Sequence, residues 1–346
     1  MSRALGAALF GLTLTMSALP TSAEVTVQAL EFSDLDGWAD DDHSAAFDVF
    51  QNTCTDLKDP DWLSLCAVAS QQKDARAFFE LFFKPVLITD GNDPLFTGYY
   101  EPELSGSRTR SDRFAYPLYR LPPEVTPGTP WLTRKEIEES GTLANRDLEI
   151  VWIDNPVDKF FLQVQGSGRI RLAEGGLVRV GYAGKNGHEY SSIGQELIRR
   201  NVFEPHEVSA QVIRNWVTQN PEDGRALLQH NASYVFFREV SDVPADQGPL
   251  GAMNRSITAG RSIAVDPGIV PLGAPVWIEK EGFDPMRRLM VAQDTGSAIK
   301  GAQRADVFYG TGDEAGRRAG RVRDPGRMVV LLPIQRAYAA LTEPEQ

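Results

Sequence analysis

Little in this chain is reactive in the usual ways. Its 346 residues hold two cysteines and four histidines. His43, His188, His206 and His230 form no His-Glu-x-x-His pair, which argues against a zinc peptidase. Cys54 and Cys66 are too few for a disulfide-dense miniprotein, and their spacing is not that of a metal site. A Gly-x-Ser-x-Gly elbow and a Gly-x-x-x-x-Gly-Lys-Ser/Thr loop are both missing, and Gly166-Ser167-Gly168 lacks a third glycine at dinucleotide-binding spacing. Serine hydrolases and nucleotide enzymes become poor candidates. No internal stretch reaches about 18 uninterrupted apolar residues, which excludes a polytopic helical membrane protein. Positive charge is in deficit, with 35 basic against 47 acidic residues and a net charge of -12. That balance disfavours general nucleic-acid binding but leaves room for a local basic groove. Carboxylate chemistry remains, and it points toward glycosidic bonds.

What is present is ordinary globular material. Hydrophobic residues make up 42% and charged residues 24%, in a length that suits about two domains. The first residues read as a secretory signal peptide: Arg3, a short apolar run from Ala4 to Leu14, and a small-residue exit at Pro20-Thr21-Ser22-Ala23. Cleavage is expected after Ala23; the alternative is a buried N-terminal helix. No cysteine follows the cleavage point, so no lipid anchor is expected. In an exported protein Cys54 and Cys66 read as one local disulfide, a loop closure worth about 3 kcal/mol. The alternative is two reduced, unrelated thiols.

Along the chain, residues 45 to 83 read as helical after the acidic run Asp40-Asp41-Asp42. Residues 95 to 103 turn to strand, and a Pro-, Gly- and Arg-rich stretch from Ser105 to Pro130 marks entry to another unit. Thr133 with Glu136 has capping-box spacing. Residues 150 to 153, 159 to 165 and 177 to 182 read as strands. Helices are expected over 192 to 200, over 209 to 219 and again from Asn220-Pro221. After Ser233 the pattern is again that of many short strands with Gly/Pro turns, as in barrels or sandwiches.

Three aspartates stand out. Asp266 ends the run Arg261 to Val265, Asp294 ends Leu289 to Gln293, and Asp306 lies within Ala305-Asp306-Val307-Phe308. A carboxyl group set in apolar strand sequence must be paired, hydrogen-bonded or protonated, and a raised pKa is what a general acid needs. The plainer reading of Asp266 and Asp294 is that they cap turns. Tyr99, Tyr100, Trp131, Trp152, Tyr182 and Tyr234 alternate with polar residues, as the wall of a sugar-binding groove would; part of that pattern is simply core. The turn Gln165-Gly166-Ser167-Gly168 lets a ligand approach the backbone closely.

These same segments resemble a known family. Thr97-Gly98-Tyr99-Tyr100-Glu101-Pro102, Val164 to Gly168, Gly181 to Gly187, Asn231 to Phe237 and Gly251-Ala252 are similar to the lytic murein transglycosylase A family. Ala264 to Pro267, Gln293 to Gly301 and Arg304 to Phe308 resemble its three-aspartate (3D) domain. The resemblance implies a mainly β protein with a helical N-terminal region. A double-psi β-barrel would span residues 24–103 and 240–346, with the 3D block at about 250–333. A second β-rich domain, 104–239, would be inserted, with a glycan groove between the two.

The resemblance also implies a reaction: non-hydrolytic cleavage of the MurNAc-β-1,4-GlcNAc bond of peptidoglycan, leaving 1,6-anhydro-MurNAc ends, with one Asp acting as acid and then base. By the motif match that residue is Asp306, with Asp294 as its electrostatic partner and Asp266 structural. Thr97, Tyr99, Gln165, Ser167, Gly168, Tyr234 and Lys300 are the expected glycan contacts. The protein is expected to be a periplasmic monomer acting on glycan strands without cofactor, metal or nucleic acid, with cell-wall synthesis or division complexes as the partners the resemblance allows. The rivals are an inverting hydrolase with Asp294 as base and a catalytically silent glycan-binding module.

Overall fold

The computed structural model describes residues 25–342; the expected signal peptide lies outside them. Strand β1 (Thr26–Ala29) precedes three helices, α1 (His43–Thr53), α2 (Pro60–Ala69) and α3 (Ala75–Phe82). The single helical stretch expected over 45 to 83 is thus broken twice. The breaks fall where Asp59 and Asp74 accept hydrogen bonds from the amides of Asp61 and Ala77, as Asp42 does from Ala45 at the first helix. Cys54 and Cys66 are joined as a disulfide that ties the end of α1 to α2. Phe47, Phe50, Trp62, Phe78, Phe79 and Phe83 pack into one aromatic cluster between these helices and strand β2 (Phe83–Thr89).

Strands β3 (Leu95–Glu101) and β4 (Glu103–Ser107) are separated by Pro102 alone, yet they lie in different sheets. Proline has no N–H to give to either ladder, so the change of sheet falls where it breaks fewest bonds. The second sheet then takes in β5 (Tyr116–Tyr119), helix α4 (Arg134–Ser140), β6 (Glu149–Ile153), α5 (Pro156–Gln165), β7 (Gly168–Leu172) and β8 (Leu177–Lys185). Helices α6 (Ile193–Arg199), α7 (Ala210–Gln219) and α8 (Pro221–His230) follow, then β9 (Val235–Glu239). The strand order is β5-β6-β4-β7-β8-β9.

Residues 159 to 165, read as a strand from their aromatic content, belong to helix α5. Asn155 caps that helix by accepting from the amides of Val157 and Asp158, and Pro156 occupies its first turn. Val157, Phe160 and Phe161 then face the cluster of α6, α7 and α8 at helical spacing.

The chain returns to the first sheet through β10 (Ser262–Val265), β11 (Pro275–Lys280), β12 (Met286–Thr295) and β13 (Arg304–Thr311). Helix α9 (Gly312–Ala319), β14 (Arg323–Asp324), β15 (Gly326–Pro333) and α10 (Ile334–Thr342) complete it. The order is β1-β2-β15-β11-β12-β10-β13-β3-β14. The sheet curls into a nearly closed barrel: buried Lys280 of β11 pairs with Asp324 of the edge strand β14 at 2.8 Å, and Glu281 N donates to Pro325 O. The expected barrel with an inserted β-rich unit is the architecture found.

A buried carboxylate joins the two units. Glu101, at the end of β3, is fully inaccessible. It meets Arg169 of β7 at 2.7 Å and Arg179 of β8 at 3.1 Å, and accepts from Thr311 Oγ1 at 2.8 Å. The two guanidiniums also donate to the carbonyls of Pro244, Ala245 and Gln247, pinning the return linker. Removing one member of such a network strands the opposite charges in a dry site. Glu101→Ala is therefore expected to destabilise the protein by about 3–5 kcal/mol. Glu103→Ala, which removes only the more exposed pair with Arg171, should cost under about 1 kcal/mol. Denaturant unfolding of both variants at neutral pH checks the contrast.

Candidate active site

Strands β3, β13, β10 and β12 are neighbours, and their registers align. Thr97 pairs with Asp306, Asp306 with Ala264, and Ala264 with Asp294. Residues paired across a sheet project from the same face, so these four form one transverse row. At about 4.8 Å between strands, the Cα atoms of Asp294 and Asp306 lie about 10 Å apart. Only the methyl group of Ala264 stands between their side chains.

The alignment depends on a bulge. Ile263 pairs with Ala292, but the next residue, Ala264, pairs with Asp294, so Gln293 has no partner on β10. Without the extra residue, Gln293 would face Ala264 and Asp294 would project from the opposite face. The Gln293 side chain is fully buried; Ser262 Oγ donates to its Oε1 at 2.5 Å, and Thr258 N donates to Ser262 Oγ.

The two carboxyl groups are held differently. Asp306 Oδ1 accepts from Thr97 Oγ1 at 2.6 Å, and Thr97 Oγ1 accepts from Arg304 at 2.9 Å. A guanidinium only donates, so the one hydroxyl proton of Thr97 must point at Asp306 Oδ1. The proton of a neutral Asp306 is thereby directed to Oδ2. Asp294 has both oxygens occupied: Oδ1 accepts from Ala252 N at 3.0 Å and Thr295 N at 2.9 Å, and Oδ2 from Tyr99 Oη at 3.0 Å. The turn that presents Ala252 needs Gly251, whose Cβ would lie 2.7 Å from Gln293 O.

Burial pushes both acids up to about 6. For Asp306 the Thr97 hydroxyl and the Arg304 charge oppose that rise. For Asp294 its three donors oppose it, while the nearby charge of Asp306 adds to it. Burial, then the charges of Asp294 and Asp306, hold the Tyr99 phenol well above its ordinary value, so it acts as a neutral donor.

The other expected residues divide. Asp266 sits at the end of β10 and accepts from the amides of Gly268 and Gly301, with Lys300 at 3.3 Å, the geometry of a structural turn. Burial raises its pKa, but these donors outweigh it and leave the group below its usual value. Lys300, expected at the glycan, is largely exposed and lies beside Asp266. Gln165 accepts from Tyr100 N at 3.0 Å and so props the end of α5 against β3, while Ser167 is partly exposed beside it. Gly168, expected to admit a ligand, admits the chain itself: a Cβ there would run into Leu162 and approach Pro102 O to 3.1 Å. Tyr234, the other expected contact, is 1% exposed in the core of the inserted unit, its ring lying against the charges of Arg134 and Lys159.

Arg304, Gln293 and Glu101 were missed. Arg304 carried a legible signal, since it lies two residues before Asp306 on the same strand and so shares its face. A cavity of about 830 Å³ opens where the units meet, lined by Arg238 and Glu239 on one side and Ile257, Phe308 and Thr311 on the other. The acid pair is not on its wall; Phe308, whose ring lies 5.3 Å from that of Tyr99, links the cavity to the row. Among the described residues no group of three or more His, Cys, Asp or Glu is placed to hold a metal ion.

Comparison with known proteins gives this row a family. Residues 95–238 match the MltA specific insert domain and residues 261–332 match the 3D domain. Membrane-bound lytic murein transglycosylase A of Vibrio cholerae is 33% identical over 266 residues, covering 73% of this chain and 70% of the relative. The chain belongs to the lytic murein transglycosylase A (MltA) family. The Escherichia coli K12 protein of the same name is 39% identical over 246 residues, or 68% of this chain and 65% of that protein's length. The membrane-bound lytic murein transglycosylase of Agrobacterium tumefaciens superposes with a TM-score of 0.84 at 34% identity, covering 91% of this chain and 99% of that one. E. coli MltA with bound chitohexaose gives a TM-score of 0.70 at 30% identity, covering 85% and 90%. The relatives are named membrane-bound; among the described residues of this MltA-family chain, no helix is long and apolar enough to cross a membrane.

The raised pKa has a stability consequence. Between pH 3.8 and about 6 the folded chain keeps a proton on Asp306 that the unfolded chain has released. Native stability therefore falls as pH rises through that window. Asp306→Asn should be more stable than the wild type at pH 7.5, by up to about 3 kcal/mol, and the gain should vanish near pH 4. Thermal unfolding at the two pH values checks the sign; a loss of stability at pH 7.5 would contradict it.

Proposed function

We propose that this chain is a peptidoglycan lytic transglycosylase that cleaves the MurNAc-β-1,4-GlcNAc bond without water. The observation that carries the reading is the placement of Asp306 on the buried row, where the Thr97 hydroxyl occupies Oδ1 and leaves Oδ2 to carry the proton, and where burial pushes its pKa up to about 6. Protonated Oδ2 gives its proton to the glycosidic oxygen as the bond from C1 to O4 breaks. The muramyl C6 hydroxyl then bonds to C1, and its proton passes to the Asp306 carboxylate. One group serves as acid and then base, and a 1,6-anhydro ring is the product.

Asp294, fixed on the same row by three donors, supports the reaction as the polar neighbour of Asp306 and not as a second acid or base. An inverting hydrolase would need Asp294 to activate water, and its oxygens are already engaged by Tyr99, Ala252 and Thr295. A silent binding module would have no use for a carboxyl group held near pH 6. On this reading the work is periplasmic and the glycan passes between the barrel and the inserted unit, with Tyr99, Gln165 and Ser167 along its path and Thr97 orienting the acid.

Purified sacculi digested with the chain should yield muramyl ends lighter by one water in mass spectra. Asp306→Asn should lower that yield by about 10²- to 10⁴-fold while the protein stays folded. Ordinary reducing ends would move the reaction to hydrolysis, and no soluble products from folded wild type would favour the binding module.

A further inference from the structure

The transverse row has one more member. Strand β14 pairs with β3 on the side away from β13, and Arg323 is the register partner of Thr97. The row therefore runs Arg323, Thr97, Asp306, Ala264, Asp294, with Arg323 on the face of the acid about 10 Å from it, Cα to Cα. Alternation supports this placement: the next residue, Asp324, turns inward to buried Lys280. Arg323 is exposed, and no carboxylate among the described residues lies within 4.0 Å of its guanidinium. Its charge is felt by Arg304, which it disfavours. Arg304 itself donates to the carbonyls of Leu95 and Ala305 and to Thr97, and the anion that acts on it is Asp306. When Asp306 is protonated and ready to act, Arg304 loses the charge it faces, and Arg323 meets no carboxylate among the described residues.

We propose that Arg323, with Arg304, forms a carboxylate-binding subsite at the end of the catalytic row, and that its ligand is the carboxylate carried by the muramyl side chain. The inference rests on the peptidoglycan reading above and adds a selectivity to it. Muramic acid differs from glucosamine by an O-lactyl group on C3, which ends either in its own carboxylate or in a peptide that supplies one. The sugar whose C1 is attacked is the muramyl unit, so this anion hangs about one ring width from the acid, on the ring that reacts. Arginine suits it because its planar fork can take both carboxylate oxygens. The subsite distinguishes muramyl from glucosaminyl units at the scissile bond, which neutral sugar contacts do poorly.

The test compares strands that differ only in this charge: denuded glycan with free lactyl groups, the same strands after carbodiimide coupling to methylamine, and peptide-bearing strands before and after the same coupling. Release of anhydro-ended products gives kcat/KM for each. Wild type is expected to prefer the charged member of a pair. Arg323→Gln should reduce that preference by about three- to tenfold, Arg323→Glu should abolish or reverse it, and Arg323→Lys should keep most of it. The preference should fade at high salt. A loss seen with denuded strands assigns the lactyl carboxylate; a loss confined to peptide-bearing strands assigns the peptide. An unchanged preference in Arg323→Gln, or equal slowing of charged and neutral strands, overturns the proposal. Wild type that cleaves none of the four would overturn the lytic reading itself.

Discussion

Gln293 occupies a place on β12 that β10 does not match, and the chemistry is arranged around that mismatch. A regular parallel pairing would place an amide opposite Ala264 and bury Asp294 on the other face. One extra residue instead puts both carboxyl groups on the same row, a methyl group apart. Parallel bulges are uncommon, and this one is held from below by the Ser262 hydroxyl and from above by the turn at Gly251. The same turn delivers the Ala252 amide to Asp294. Backbone register, side-chain support and charge placement therefore follow from a single insertion in the ladder.

The acid pair also depends on the walls around it. Both carboxyl groups are driven up by burial, and the difference between them lies in their donors. Asp294 spends its lone pairs on fixed amides and a phenol, as a group meant to stay put would. Asp306 receives one hydroxyl, on Oδ1 alone. The seat of the inserted unit is set by Glu101 and its two arginines, one residue from the proline where the chain changes sheet. The strand beside Asp306, the domain joint and the linker are thus contiguous, and Thr97, Tyr99 and Glu101 are alternate residues of one strand.

Local sequence carried a good part of this. Asp294 and Asp306 were visible as carboxyl groups in apolar strand runs, and the aspartate and asparagine caps with their prolines marked several helix starts. The disulfide followed from reading two cysteines in a chain expected to be exported. Errors arose where a short pattern had two meanings. Residues 159 to 165 are rich in β-formers, but the Asn155-Pro156 cap upstream overrode that preference. Gly168 and Tyr234 read as a ligand-facing turn and an aromatic wall, and each also has a packing role, the first against Leu162 and the second against Arg134. The bulge, the Glu101 network and the position of Arg323 were beyond local reading, because each is a statement about which distant strands are neighbours. Register is a long-range property, and it alone turns four scattered residues into a row.

The central claim is that burial on this row keeps Asp306 protonated into the range where glycosidic oxygens need a proton. Carbon-13 NMR titration of aspartate carboxyl groups in the labelled protein, with the Asp306 signal assigned by its loss in Asp306→Asn, tests it directly. A midpoint near 6 is predicted for that signal. A midpoint at or below the ordinary aspartate value of 3.8 would mean that Asp306 is ionised at working pH and cannot be the acid.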